Sequence, residues 1–133
     1  MNKIEHIGIA VKDLDAAISL YSALLNTKPY KHEDVESEGV RTSFFRMGEA
    51  KIELLSASHT ESPIAKFIEK RGEGIHHIAF EVSDIDAEII RLQSEGFELI
   101  TKTAKPGADN KLIAFLHPKS TGGVLIELCM EVS

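Results

Sequence analysis

Two histidines and two glutamates occupy matched places along this chain. Residues 6–18 read HIGIAVKDLDAAI and residues 77–89 read HIAFEVSDIDAEI, identical at seven of thirteen positions. A second echo follows in the same order: residues 48–55 read GEAKIELL and residues 122–129 read GGVLIELC, sharing Ile-Glu-Leu. The first echo equates His6 with His77, and the second equates Glu53 with Glu127. Two imidazoles and two carboxylates make a mixed nitrogen–oxygen donor set, suited to one borderline-to-hard divalent ion such as Co, Ni, Mn, Fe or Zn. If two copies of one module pack about a pseudo-twofold axis, all four groups converge near it.

The neighbours support this chemistry. Gly8 and Ala10 share the strand parity of His6, and Ala79 shares that of His77, so small side chains leave room beside each imidazole. Glu53 stands between Ile52 and Leu54, and Glu127 between Ile126 and Leu128. A carboxylate in so apolar a strand is costly to bury without a partner, and a cation offsets that cost. A lone His at a strand start is ordinarily a structural hydrogen-bonder, and a lone Glu in an edge strand ordinarily points to water. The matched pairing sets these four apart. His76 has the opposite parity to His77 and reads as a supporting or core histidine. His117, before Pro118, divides evenly between lining a pocket and a structural role. His32 and His59 lie among polar residues and read as solvated. Cys129 reads as a small core residue rather than a nucleophile, since no base is spaced to activate it.

These residues need strands to hold them, and each copy supplies the same series. An apolar strand (4–11; 75–82) leads to Asp13 or Asp84 as a helix N-cap. Leu14, Ala17, Ile18, Tyr21 and Leu24 then recur at helical spacing in the first copy, and Ile85, Ile89 and Leu92 in the second, with Gly96 as a stop. Short strands are expected at about 29–35, 40–47 and 50–56, and again at about 97–104, 111–117 and 123–130. The chain therefore reads as an α+β protein of two βαβββ modules, about 1–57 and 74–131. Ser62-Pro63 and the run Ile64, Phe67, Ile68 predict a connecting helix over about 62–72.

Composition narrows the class. A chain of 133 residues with 43% apolar content fits one domain with a real core. A net charge of −6 argues against nucleic-acid binding, which needs a basic face. One cysteine precludes an intrachain disulfide, as suits a reducing cytosol. The N-terminal stretch lacks a secretory apolar region, and no apolar run approaches the ~18 residues of a membrane span. A soluble cytoplasmic protein is expected.

The repeat, the motifs HIGIAV and GIHHIAFEV, and the two Ile-Glu-Leu strands resemble the vicinal-oxygen-chelate superfamily, which groups glyoxalases, bleomycin-resistance proteins and dioxygenases. Within it the chain is most similar to the methylmalonyl-CoA epimerase family, over nearly its whole length. The most specific stretches are SPIAKFIEKRGEGIHHIAFEV and AFLHPKSTGGVLIEL. The resemblance implies an open, cupped mixed sheet, one divalent metal and a homodimer. It implies His6, His77 and Glu127 as ligands with Glu53 in the fourth position, and an acyl-CoA thioester substrate. The implied reaction interconverts (R)- and (S)-methylmalonyl-CoA by C2 proton abstraction through a metal-stabilised enolate. Such a reaction needs a base on each face, Glu127 first and Glu53 second, with Glu36 or Glu38 weaker candidates. Thr42 stands where some epimerases carry a further carboxylate. Lys119 and Ser120, with Gly122-Gly123, are placed to meet the thioester or pantetheine, and Lys105 and Lys111 are further candidates for phosphate. Two alternatives stay open: a glyoxalase I-like isomerase acting on a thiol hemithioacetal, and a non-catalytic, antibiotic-sequestering binder of the same fold.

Overall fold

The structure, a computed structural model, describes residues 1–132. The element order is β1 (Lys3–Ala10), α1 (Leu14–Leu25), β2 (Lys31–Val35), β3 (Val40–Met47), β4 (Ala50–Ala57), α2 (Pro63–Arg71), β5 (Gly74–Glu81), α3 (Ile85–Ser94), β6 (Lys105–Pro106), β7 (Lys111–Leu116) and β8 (Ile126–Glu131). The protein is thus α+β, with βαβββ occurring twice and α2 between. Contacts divide it into two compact units, residues 1–6 with 77–132, and residues 7–76. The division cuts β1 after His6 and β5 before His77, so the first histidine is grouped with the second module.

In the unit of residues 7–76, the strand order is β2-β3-β4-β1. The hairpin of β3 and β4 closes with Met47 opposite Ala50, and the positive φ of Gly48 (64°) is what a two-residue turn requires. Asp13 caps α1 by accepting a hydrogen bond from the Ala16 backbone N–H at 3.1 Å. The inner face of α1 (Leu14, Ala17, Ile18, Tyr21, Leu25) packs with Val11, Phe45, Ile52 and Leu54. Strand alternation then sends Glu53 to the opposite face of β4, beside Phe44 and near Thr42 and Leu55, all buried. Ser62 caps α2, and Pro63 takes its first position, where its missing N–H is not needed.

In the other unit, the order is β1-β5-β8-β7-β6, with β5 parallel to β8 and β7 antiparallel to it. Asp84 caps α3 through the Ala87 N–H, and Gly96 follows its end with φ 94°. Ile85, Ile89 and Leu92 of α3 pack on Ala114, Leu116 and Leu128. The other face of these strands carries Ala79, Ile113, Phe115 and Cys129, in register with Glu127 and Lys111.

The strand expected at about 97–104 does not form. Leu99 makes only an isolated bridge to Leu116, and the third strand of this module is the two-residue β6. Leu99 is nevertheless buried in the core of this unit, with Phe97 packed against it. The apolar residues are buried as a strand would bury them, but the ladder to β7 forms only at Leu99 and at Lys105–Pro106.

Candidate metal centre

Adjacent strands β1, β5 and β8 present the buried side chains of His6, His77 and Glu127. His6 sits fourth in β1 and His77 fourth in β5, so both lie mid-strand rather than at strand openings. Ala79 pairs with Glu127, and His77 lies two residues before Ala79, so His77 and Glu127 face the same way. That face is turned away from α3, whose contact on β8 is Leu128. Glu127 is flanked across the strands by the Ala79 methyl group and the Phe115 ring. Ala79 adds little bulk, while Phe115 stands edge-on to the His77 ring, centroids 6.0 Å apart.

The three groups converge closely. The Nε2 atoms of His6 and His77 are 3.0 Å apart. Glu127 Oε1 is 3.3 Å from His77 Nε2, and its Oε2 is 3.6 Å from His6 Nε2. The imidazole planes stand at 87°, so their lone pairs approach from different directions. His6, His77 and Glu127 are 6%, 3% and 5% exposed. With ligand bonds of about 2.1 Å, two donor atoms stand about 3.0 Å apart at a right angle and about 3.4 Å apart at a tetrahedral angle. The three observed separations bracket that range, and two imidazoles with one carboxylate are donors that divalent first-row ions take.

Glu53 lies in the other unit. It is buried at 3% and has interaction partners of its own. Among the described residues, the groups whose ligand atoms lie mutually within 4.8 Å are His6/His77/Glu127 and Glu5/His6/Cys129. Glu5 is a member that sequence reasoning missed: its Oε1 is 2.7 Å from His6 Nδ1. The available signal was a charged residue beside His6 inside an apolar strand. Cys129 is a poor ligand in that second group. Burial, and then the negative charges of Glu127 and Glu5, hold its thiol well above its ordinary range, and it donates to the Phe80 carbonyl at 3.6 Å.

The remaining candidates are engaged locally. Lys119 Nζ lies 3.1 Å from Glu98 Oε1, and Ser120 Oγ accepts the Glu98 N–H at 2.9 Å. These two residues thus tie the loop before β8 to the segment after α3. His117 Nδ1 accepts the Lys119 N–H at 3.2 Å, a structural cap on the turn Pro118–Ser120. Half-buried His76 stands edge-on to Phe67, and exposed His32 meets the Ser43 hydroxyl at 2.6 Å. Lys111 is buried, with Asp109 and Glu131 carboxylates at 3.9 and 3.8 Å. Glu36 and Glu38 form a one-turn helix between β2 and β3.

The chain carries the βαβββ order twice and brings His6, His77 and Glu127 from three strands into one buried cluster. The family model described as Glyoxalase/Bleomycin resistance protein/Dioxygenase superfamily matches residues 5–115, and the chain belongs to that superfamily. It is 40% identical over 130 residues to the ethylmalonyl-CoA/methylmalonyl-CoA epimerase of Cereibacter sphaeroides, spanning 96% of this chain and 97% of that one. The crystal structure of methylmalonyl-CoA epimerase from Mycobacterium tuberculosis is similar with a TM-score of 0.94 and 41% identity, over 98% of this chain and 89% of that one. A structure of methylmalonyl-CoA epimerase in complex with methylmalonyl-CoA and NH4+ is similar with a TM-score of 0.96 and 34% identity, over 100% of this chain and 96% of that one.

Proposed function

We propose that this protein interconverts the C2 epimers of methylmalonyl-CoA, with one divalent metal held by His6, His77 and Glu127 and by Glu53 as the fourth ligand. The observation that carries the reading is the convergence of two Nε2 atoms and a carboxylate within 3.6 Å in a buried site. Near-full-length similarity to epimerases supports the substrate. A divalent metal bound here supplies Lewis acidity, which stabilises the negative charge developing on the substrate thioester oxygen when the C2 proton leaves.

The chain's own residues handle the proton. Glu127 accepts it from one face of C2; Glu53, protonated beforehand, delivers its own proton to the other face, and exchange with solvent resets both carboxyl groups. Thr42 offers no competing base, since its hydroxyl donates to the Glu33 carbonyl at 2.8 Å. Burial of His6, His77 and Glu127 excludes water from the carbanion. Lys119 and Ser120 meet the thioester arm or pantetheine. The exposed Lys119–Glu98 pair is worth only about 1 kcal/mol or less, so the ammonium is readily transferred to a ligand. The working form is a cytoplasmic homodimer. A single cysteine, which allows no intrachain disulfide, suits a reducing compartment, and among the described residues no helix is long and apolar enough to cross a membrane.

The test follows C2–H exchange in deuterated water and epimerisation in the same samples, with metal content. The parent performs both. Glu53→Gln keeps exchange from one epimer while epimerisation falls by about 10²–10⁴. Glu127→Gln with metal bound mirrors it: exchange survives only from the other epimer, and epimerisation falls by a similar factor. Full activity in Glu127→Gln with metal retained overturns the role of Glu127, and turnover of methylglyoxal with thiol but not of methylmalonyl-CoA overturns the substrate.

A further inference from the structure

We propose that Glu5 is a positioning residue that fixes the tautomer of His6 and so decides which nitrogen His6 offers as a ligand; the proposal rests on the metal-centre reading above. His6 uses both ring nitrogens. Its Nε2 faces His77 Nε2 at 3.0 Å and Glu127 Oε2 at 3.6 Å, while its Nδ1 meets Glu5 Oε1 at 2.7 Å. The Glu5 contact has the length of a charge-assisted hydrogen bond, and Glu5 is only 2% exposed. With Glu5 Oε1 as the acceptor, the proton of this bond lies on Nδ1 and the lone pair lies on Nε2, directed at the other ligands. The reverse arrangement would aim an N–H at the place where a cation belongs.

The duplication makes this assignment specific to one ligand. The repeat equates Glu5-His6 with His76-His77, so the second copy has an imidazole where the first has a carboxylate. His76 packs edge-on against Phe67 with centroids 4.8 Å apart. A carboxylate hydrogen-bonded to the far nitrogen of a ligating imidazole orients the ring and raises its basicity. His6 is therefore the better anchored of the two imidazole ligands.

Two measurements on the whole protein test this. Long-range proton–nitrogen NMR correlation with 15N-labelled histidine reads the His6 tautomer, in metal-free and Zn2+-loaded protein. Proton on Nδ1 is expected in both, and proton on Nε2 overturns the proposal. Competition against a chromophoric chelator reads Co2+ affinity. Glu5→Gln should weaken binding by roughly 10-fold or more, and Glu5→Leu further, as removal of such outer partners does. In a His6→Ala background Glu5→Gln should change affinity no further, because Glu5 acts through His6. Affinity within about twofold of the parent in folded Glu5→Gln or Glu5→Leu, or an equal loss in the His6→Ala background, overturns the proposal. If the parent itself takes up no stoichiometric Co2+ or Zn2+, the metal-centre reading falls, and the tautomer in metal-free protein still decides the Glu5–His6 assignment.

Discussion

Replacing Glu127 with Gln separates charge from shape at the centre of the site. Glutamine keeps the side-chain size and an acceptor oxygen, but removes the only negative charge among the three clustered groups. In metal-free protein the carboxylate is 5% exposed, so its neutral replacement relieves desolvation and the metal-free melting temperature should stay level or rise. Metal-linked stability should behave oppositely. At a free metal concentration of about 100 times the parent's Kd, binding contributes about 2.7 kcal/mol. For 133 residues an unfolding entropy of about 2.1 cal/mol/K per residue converts this to a rise of about 10 °C. Outer partners of metal ligands alone cost about 10–100-fold in affinity, so losing a direct anionic ligand costs at least that. At the same metal concentration the rise then shrinks to about 5 °C for a tenfold loss and about 1.5 °C for a hundredfold loss. Differential scanning calorimetry of both proteins, with and without Co2+, reads these shifts. An undiminished metal-induced rise in Glu127→Gln refutes the assignment of Glu127 as a ligand.

Other substitutions probe the scaffold that aims these groups. Leu128, 0% exposed and packed toward α3, is the apolar partner that holds β8 so that Glu127 faces the site. Leu128→Ala should cost about 3 kcal/mol, read as a lowered urea midpoint with unchanged slope. Asp84→Ala removes the acceptor for the Ala87 N–H and should cost about 1 kcal/mol without altering metal stoichiometry. The Cys129 thiol, pushed above its ordinary value of 9.0 by burial and then by Glu127 and Glu5, should resist alkylation at pH 8 until the protein is unfolded. Because the folded state holds this proton more tightly than the unfolded state, Cys129 contributes stability below pH 9.0 that is lost as pH rises further. A urea-midpoint series for parent and Cys129→Ala checks that sign.

The repeat made much of this legible before any coordinates. Matching HIGIAV to HIAFEV pointed to His6 and His77, and matching the Ile-Glu-Leu strands pointed to Glu53 and Glu127; of these four, His6, His77 and Glu127 form the buried cluster. Asp13, Asp84 and Ser62 announced three helix starts through capping chemistry, which is local and so readable. The failures were matters of pairing. Residues 97–104 carry an apolar pattern that a strand and a buried irregular segment satisfy equally, and only the partner backbone decides between them. The grouping of residues 1–6 with 77–132 is likewise invisible to periodicity, since it depends on which strands are neighbours. Glu5 was passed over: strand alternation places it on the face opposite His6, but its side chain reaches the imidazole of its own neighbour. His117 was left between two roles, and a contact two residues along the chain settles it as a cap.

The most direct measurement is an anomalous diffraction map of crystals grown with stoichiometric Co2+. The account predicts one anomalous peak per chain, bonded at about 2.0–2.2 Å to His6 Nε2, His77 Nε2 and a Glu127 oxygen. A peak elsewhere, or none among these side chains in a crystal that otherwise holds cobalt, contradicts it.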